Sequence, residues 1–208
     1  MTAAGVAPAD MATGLQKARL DRAELAMLGL LAGDTAYSVG ATEVAVTIWS
    51  RHLNPRLRVS RARLLVQKPD FDASLRLTDG LQTYVPTSQA ERAETAALAA
   101  RLADDCEQDG LFATAESYWR WAILQSLQRA SYYARFGGVL EAQGRLAEAA
   151  QAYELAVQTQ SDQLGYHLQL ARAWIKLGND KSALESVRRA LELDPNDQAA
   201  RSLLRRLE

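Results

Sequence analysis

In the C-terminal half of the chain, apolar residues recur at helical spacing in paired segments, and each pair is split by a glycine. Gly110, Gly144 and Gly178 follow one another at intervals of 34 residues. At the same offset, small residues align as Ala115, Ala149 and Ala183, as Ala122, Ala156 and Ala190, and as Ala103, Gly137 and Ala171. Large residues align as Leu102, Phe136 and Leu170, as Cys106, Leu140 and Trp174, and as Trp119, Tyr153 and Val187. A period of this length marks one supersecondary unit repeated along the chain. Spacings of three and four predict amphipathic helices. Glycine reaches the left-handed conformation that ends a helix, so it marks the turn between helix A and helix B. The small columns mark where the two backbones cross, and the large ones fill the space beside them.

The units run over 96–129, 130–163 and 164–197. The clearest reads His167-x2-Leu170-Ala171-x2-Trp174, then Ala183-x3-Val187, then Pro195. The unit before it reads Tyr133-x2-Phe136-Gly137-x2-Leu140, then Ala149-x3-Tyr153, and the first reads Ala99-x2-Leu102-Ala103-x2-Cys106, then Ala115-x3-Trp119. In residue size and spacing these units resemble the tetratricopeptide repeat family. The proline column departs from the pattern, holding Leu127 and Ser161 in the first two units. The resemblance implies an all-α fold: a right-handed α-solenoid of stacked helix pairs whose A helices line a concave groove. Residues 198–208 add a half-polar helix, with Arg205 and Arg206 near its C-terminus, suited to capping an open array end.

Upstream the pattern is weaker. Segments 15–55 and 56–88 read as degenerate helical pairs, with Asn54-Pro55 and Val85-Pro86 ending the B-type helices and about seven residues added before Ala96. Ala62 and Ser74 are the small residues expected at a crossing. The alternative is a separate helical bundle. Residues 1–14 read as a flexible, turn-prone N-terminus.

Composition narrows the picture without changing it. Ala (38) and Leu (31) dominate, while Val and Ile total 13, which excludes a mostly β protein. Charges nearly cancel, at 24 basic against 25 acidic residues, which argues against a dedicated nucleic-acid binder. The apolar stretch Leu25 to Ala32 is too short for a membrane span. A late signal peptide led by Lys17, Arg19 and Arg22 is disfavoured by Asp21 and Glu24, so a cytoplasmic protein is expected. Arginine exceeds lysine 20 to 4, a bias associated with bacterial genomes.

Candidate chemistry is sparse. His52 and His167 are far apart, and His167 falls in a packed column. Cys106 is expected as an inert buried thiol, and a lone cysteine rules out an internal disulfide. The acidic group Asp104, Asp105 and Glu107 reads as a solvated face. No phosphate loop, paired metal-ligand motif or nucleophile elbow occurs in the sequence, so neither catalysis nor a cofactor nor a metal is expected. The basic segment 51–68 (Arg51, Arg56, Arg58, Arg61, Arg63, Lys68) supports an alternative nucleic-acid-binding or regulatory role.

The main expectation is an adaptor or assembly scaffold that holds a protein or peptide in the concave groove. By register, the groove presents Arg101 and Asp104 from the first A helix and Arg135 and Glu141 from the second. The third contributes Leu168, Gln169, Arg172, Ile175 and Lys176. Trp121 is expected to face outward from a B helix as an interface anchor. Trp121 and the N-terminal end are the surfaces through which a homodimer could form. The co-chaperone role of family members that clamp a C-terminal carboxylate is disfavoured, because Asp104 would repel that group and only Arg135 could help.

Overall fold

The computed structural model describes residues 21–67 and 71–208. The N-terminal 1–14 segment, Lys17, Arg19, Lys68 and Asp70 lie outside the described residues. Those described form eleven helices and no strand. The chain divides into two compact units, one ending at Ser88 and the other spanning Gln89–Glu208.

The first unit holds α1 (Arg22–Ser38), α2 (Thr42–His52), α3 (Pro55–Gln67) and α4 (Phe71–Thr78). Asp21 and Glu24 form a reciprocal capping box at the start of α1. The first hairpin turns at Gly40, whose φ is +82°. Across it, α1 and α2 meet where side chains are missing. A Cβ on Gly33 would sit 2.1 Å from Trp49 Nε1, and one on Gly29 would sit 2.5 Å from His52 Cβ. Asn54 accepts from the Leu57 N–H at 3.0 Å and so caps α3, with Pro55 as its first helical residue. Ala62 and Ser74 are both buried at the next crossing, and the Ser74 hydroxyl donates to the Ala62 carbonyl at 3.4 Å. One sequence-based boundary is corrected: α4 stops at Thr78, well before Val85-Pro86, because Gly80 takes φ +71° and turns the chain.

The second unit stacks α5 (Gln89–Gln108), α6 (Phe112–Gln125), α7 (Ala130–Ala142), α8 (Leu146–Thr159), α9 (Leu164–Lys176), α10 (Asp180–Leu193) and α11 (Gln198–Leu207). The helices pair as α5/α6, α7/α8 and α9/α10, each pair packs on the next, and α11 packs on α10. Gly110, Gly144 and Gly178 have φ of +72°, +77° and +73°. At each turn the residue after the glycine donates back five positions: Leu111 to Cys106 at 2.8 Å, Arg145 to Leu140 at 2.9 Å and Asn179 to Trp174 at 2.9 Å. These are the long hydrogen bonds of the Schellman motif, made identically three times. Ala103, Ala115, Ala122, Ala149, Ala156, Ala171, Ala183 and Ala190 are all buried, as their columns predict.

The two glycines at 137 and 138 play opposite parts. A Cβ on Gly137 would lie 2.7 Å from Tyr153 Cε1, whereas one on Gly138 would meet nothing nearer than the Tyr153 hydroxyl at 3.9 Å. Exchanging helical glycine for alanine gains about 1 kcal/mol of helix propensity, while overpacking a tight contact costs about 1–3 kcal/mol. Gly137→Ala is therefore expected to lower, and Gly138→Ala to raise, the urea midpoint of unfolding.

Candidate functional site

Within the second unit, α7 packs on α9, while α8 and α10 are separated by a cleft of about 660 Å³ with Leu170 and Trp174 of α9 among its walls. At this junction the A helices thus stand closer together than the B helices, which makes the A-helix side the inner face. That inner face carries a ladder of polar contacts. The Trp119 indole N–H of α6 donates to Glu107 Oε1 at 2.6 Å, and the Tyr153 hydroxyl of α8 donates to Glu141 Oε2 at 2.9 Å. Each carboxylate also meets a cation from the next A helix: Arg135 lies 3.3 Å from Glu107, and Lys176 is bound to Glu141. Arg135 is bound to Asp104 as well, and its guanidinium lies 5.8 Å from the Trp119 ring centroid. Burial, with the Glu141 carboxylate beside it, raises the Tyr153 hydroxyl well above its ordinary pKa, so it stays a donor.

Comparison with known proteins fits this geometry. Residues 140–207 match the family model described as tetratricopeptide repeat. Over that segment the chain is similar to the tetratricopeptide repeat family. The TPR domain of Arabidopsis OM64 is similar in structure at a TM-score of 0.52 and 20% identity, covering 56% of this chain and 97% of that one. The Yersinia enterocolitica type III secretion chaperone SycD, solved with a peptide of the translocator YopD, gives 0.51 and 16%, over 55% of this chain and 92% of its own. A MamA fragment from Desulfovibrio magneticus RS-1 gives 0.50 and 17%, over 87% and 99%. A comparison with curated proteins finds no match. At such identities the structural likeness is one of fold.

The repeat register places most of the expected groove residues on the A helices together, with three corrections. Trp121 does not face outward. It is 0% exposed, its ring 6.2 Å from that of Tyr118. Trp121 and Gln125 extend the buried surface of α6, whereas the same columns in later repeats hold the exposed Leu155 and Arg189, and Thr159 and Leu193. Leu168 is buried too, clustered with Ala190 and Ala200 between α10 and α11 rather than lining the groove. The acidic group of α5 is not a free solvated face: Asp104 and Glu107 meet Arg135, and Asp105 pairs with Arg101 at 3.1 Å. Arg101, Asp104, Arg135, Glu141 and Lys176 are thus already engaged with one another or with their own helix. Gln169, Arg172 and Ile175 complete the A-helix surface of α9.

The other candidates resolve into packing. Cys106 is fully buried, and burial together with Asp105, Asp109 and Glu107 pushes its thiol up to about 11. His167 is buried with Nε2 2.8 Å from the Ser161 carbonyl oxygen. In the basic segment, Arg58 donates to the Leu77 and Asp79 carbonyls at 2.9 and 2.8 Å, satisfying the end of α4. Arg61 holds Asp34 bidentately at 2.7 and 2.6 Å, joining α3 to α1. Arg56 and Arg63 are engaged as well. Arg58 and Arg61, two of the cations that suggest nucleic-acid contacts, are thus committed to packing within the first unit. Among the described residues no group of His, Cys, Asp or Glu could hold a metal ion, and no helix is long and apolar enough to cross a membrane.

Two outcomes check this site. Glu107→Ala leaves the buried Trp119 N–H without its acceptor and should cost about 1–3 kcal/mol in denaturant unfolding, with Glu107→Gln recovering most of it. The Cys106 thiol should react with an aromatic disulfide reagent at pH 8 at least a hundredfold more slowly in the native protein than in denaturant, a difference read directly from absorbance.

Proposed function

We propose that this protein is a non-catalytic interaction module, an adaptor or assembly scaffold that holds a segment of a partner protein along the A-helix face of residues 96–197. The observation that carries the reading is the ladder that fixes this face before any partner arrives. Asp104 and Glu107 join Arg135, and Glu141 joins Lys176, so successive A helices are bound to one another across the surface offered. A receptor held in shape loses little conformational entropy when it binds, and more of the contact energy appears as affinity. The same fold in other proteins supports the reading: SycD was solved with a translocator peptide, and the first TPR of Spaghetti with the HSP90 peptide SRMEEVD. A buried thiol held protonated and a histidine committed to a backbone carbonyl leave neither group set up as a nucleophile or base. We take 198–208 as the cap of this array.

Gly138 gives the test. It sits mid-groove on α7, where a Cβ would make only an ordinary contact, with the Tyr153 hydroxyl at 3.9 Å. A large side chain there should fill the groove without disturbing the helix stack. Gly138→Trp is expected to keep wild-type helical circular dichroism while recovering at least tenfold less of a partner taken from native extract and identified by mass spectrometry. Undiminished recovery would move the binding surface off the A-helix face.

A further inference from the structure

The ladder of the inner face stops one repeat early. Its carboxylate column runs Glu107, Glu141, Ile175, one residue per A helix at the 34-residue period. The B-helix donor column runs Trp119, Tyr153, Val187, so the third repeat loses both the acceptor and its donor. In the first two repeats the glutamate neutralises a cation of the following helix. In the third there is no carboxylate to do so. Arg172, one turn before Ile175, and Arg206 on α11 form no ion pair with any described residue. With Ile175, Lys176 and Leu203 they line a notch of about 350 Å³ between α9 and α11, and none of the described residues lining it is acidic. Its exposed surface is almost wholly apolar. A space this small, near the lower end of the ~300–1,000 Å³ typical of ligand pockets, suits one or two side chains.

We infer that this notch selects the partner segment of the proposed groove: it takes an apolar side chain flanked by aspartate or glutamate within an internal stretch of protein. The inference rests on the groove reading for its claim that the ligand is a protein segment. The apolar side chain seats on Ile175 and Leu203, and the flanking carboxylates meet Arg172 and Arg206, whose planar guanidinium groups favour paired hydrogen bonds to carboxylate. Toward the N-terminal end of the face the charges already neutralise one another, so the unmatched positive charge sets both where the acidic stretch lies and which sequences are refused. Charges on an exposed rim act mainly on specificity and association rate, while the apolar side chain supplies burial. Because the two cations stand on different helices, side-chain carboxylates suffice and no chain-terminal carboxylate is required.

The test is fluorescence anisotropy on the full chain with three labelled probes. One is a C-terminally amidated dodecapeptide with leucines between aspartates and glutamates, the second its counterpart with lysine at every acidic position, and the third a twelve-nucleotide single-stranded DNA. The acidic peptide is expected to bind at least tenfold more tightly than either other probe. Arg172→Glu/Arg206→Glu should weaken it at least tenfold. Ile175→Glu, which restores the carboxylate carried by the other two repeats, should do the same without unfolding the protein. Arg188→Glu, on α10, should leave it within twofold. Failure of the acidic peptide to bind, preference for the lysine peptide or the DNA, or unchanged affinity in the double reversal each overturns the inference. If Gly138→Trp still blocks partner capture while Arg172→Glu/Arg206→Glu captures that partner at the wild-type level, the notch inference falls and the groove reading stands.

Discussion

Close approach of two helices at positions that lack side-chain bulk is the constraint from which the second unit follows. Ala103, Gly137 and Ala171 let each A helix lie against its B helix, and Ala115, Ala149 and Ala183 answer from the other side. With the backbones that close, the large residues beside the crossing must interlock. Trp119 and Tyr153 then reach across to Glu107 and Glu141, and those carboxylates in turn receive Arg135 and Lys176. A change at the crossing therefore propagates into the polar surface. Gly137 shows this directly, since the ring that a new Cβ would strike is the one that donates to Glu141.

This chain of dependence explains why polar residues on the inner face are poor guides to binding when taken singly. Asp104, Arg135, Glu141 and Lys176 have the residue types of a binding site, but they spend their charge on one another. Removing one partner of such a half-exposed pair costs modestly, about 0–1 kcal/mol. The larger effect is on shape, because the pairs span successive A helices. What is left to read a ligand is the surface whose charge or apolar area has no internal partner.

The helix pairs of the second unit were legible because the period, the glycine turns and the residue sizes all agree in sequence. Burial of the two alanine columns and the conformation of Gly110, Gly144 and Gly178 follow from spacing alone. Trp121 was not legible, since register assumes that equivalent positions have equivalent surroundings, and α6 is buried at Trp121 and Gln125 where α8 and α10 are exposed. Leu168 misled for a similar reason: the helix that covers it, α11, comes after the last full repeat. In the first unit, Gly33, Gly40, Ala45 and Trp49 repeat the spacing of Gly137, Gly144, Ala149 and Tyr153. That correspondence is hidden by phase, for Gly40 precedes Gly110 by 70 residues where two periods are 68. The signal that could have found it is glycine facing an aromatic sixteen residues later, and the structure shows Gly33 pressed on Trp49 just as Gly137 is pressed on Tyr153.

The turn at Gly40 carries the same long hydrogen bond as the other three, from Ala41 to the Ala36 carbonyl at 2.9 Å. Four hairpins are thus closed by contacts only a few residues apart along the chain, and within the second unit each element packs chiefly on its neighbours in sequence. Short closures lose little chain entropy, and topologies rich in them fold quickly. Assembly of the second unit can begin at any of its hairpins and spread in either direction, with no distant pairing to wait for.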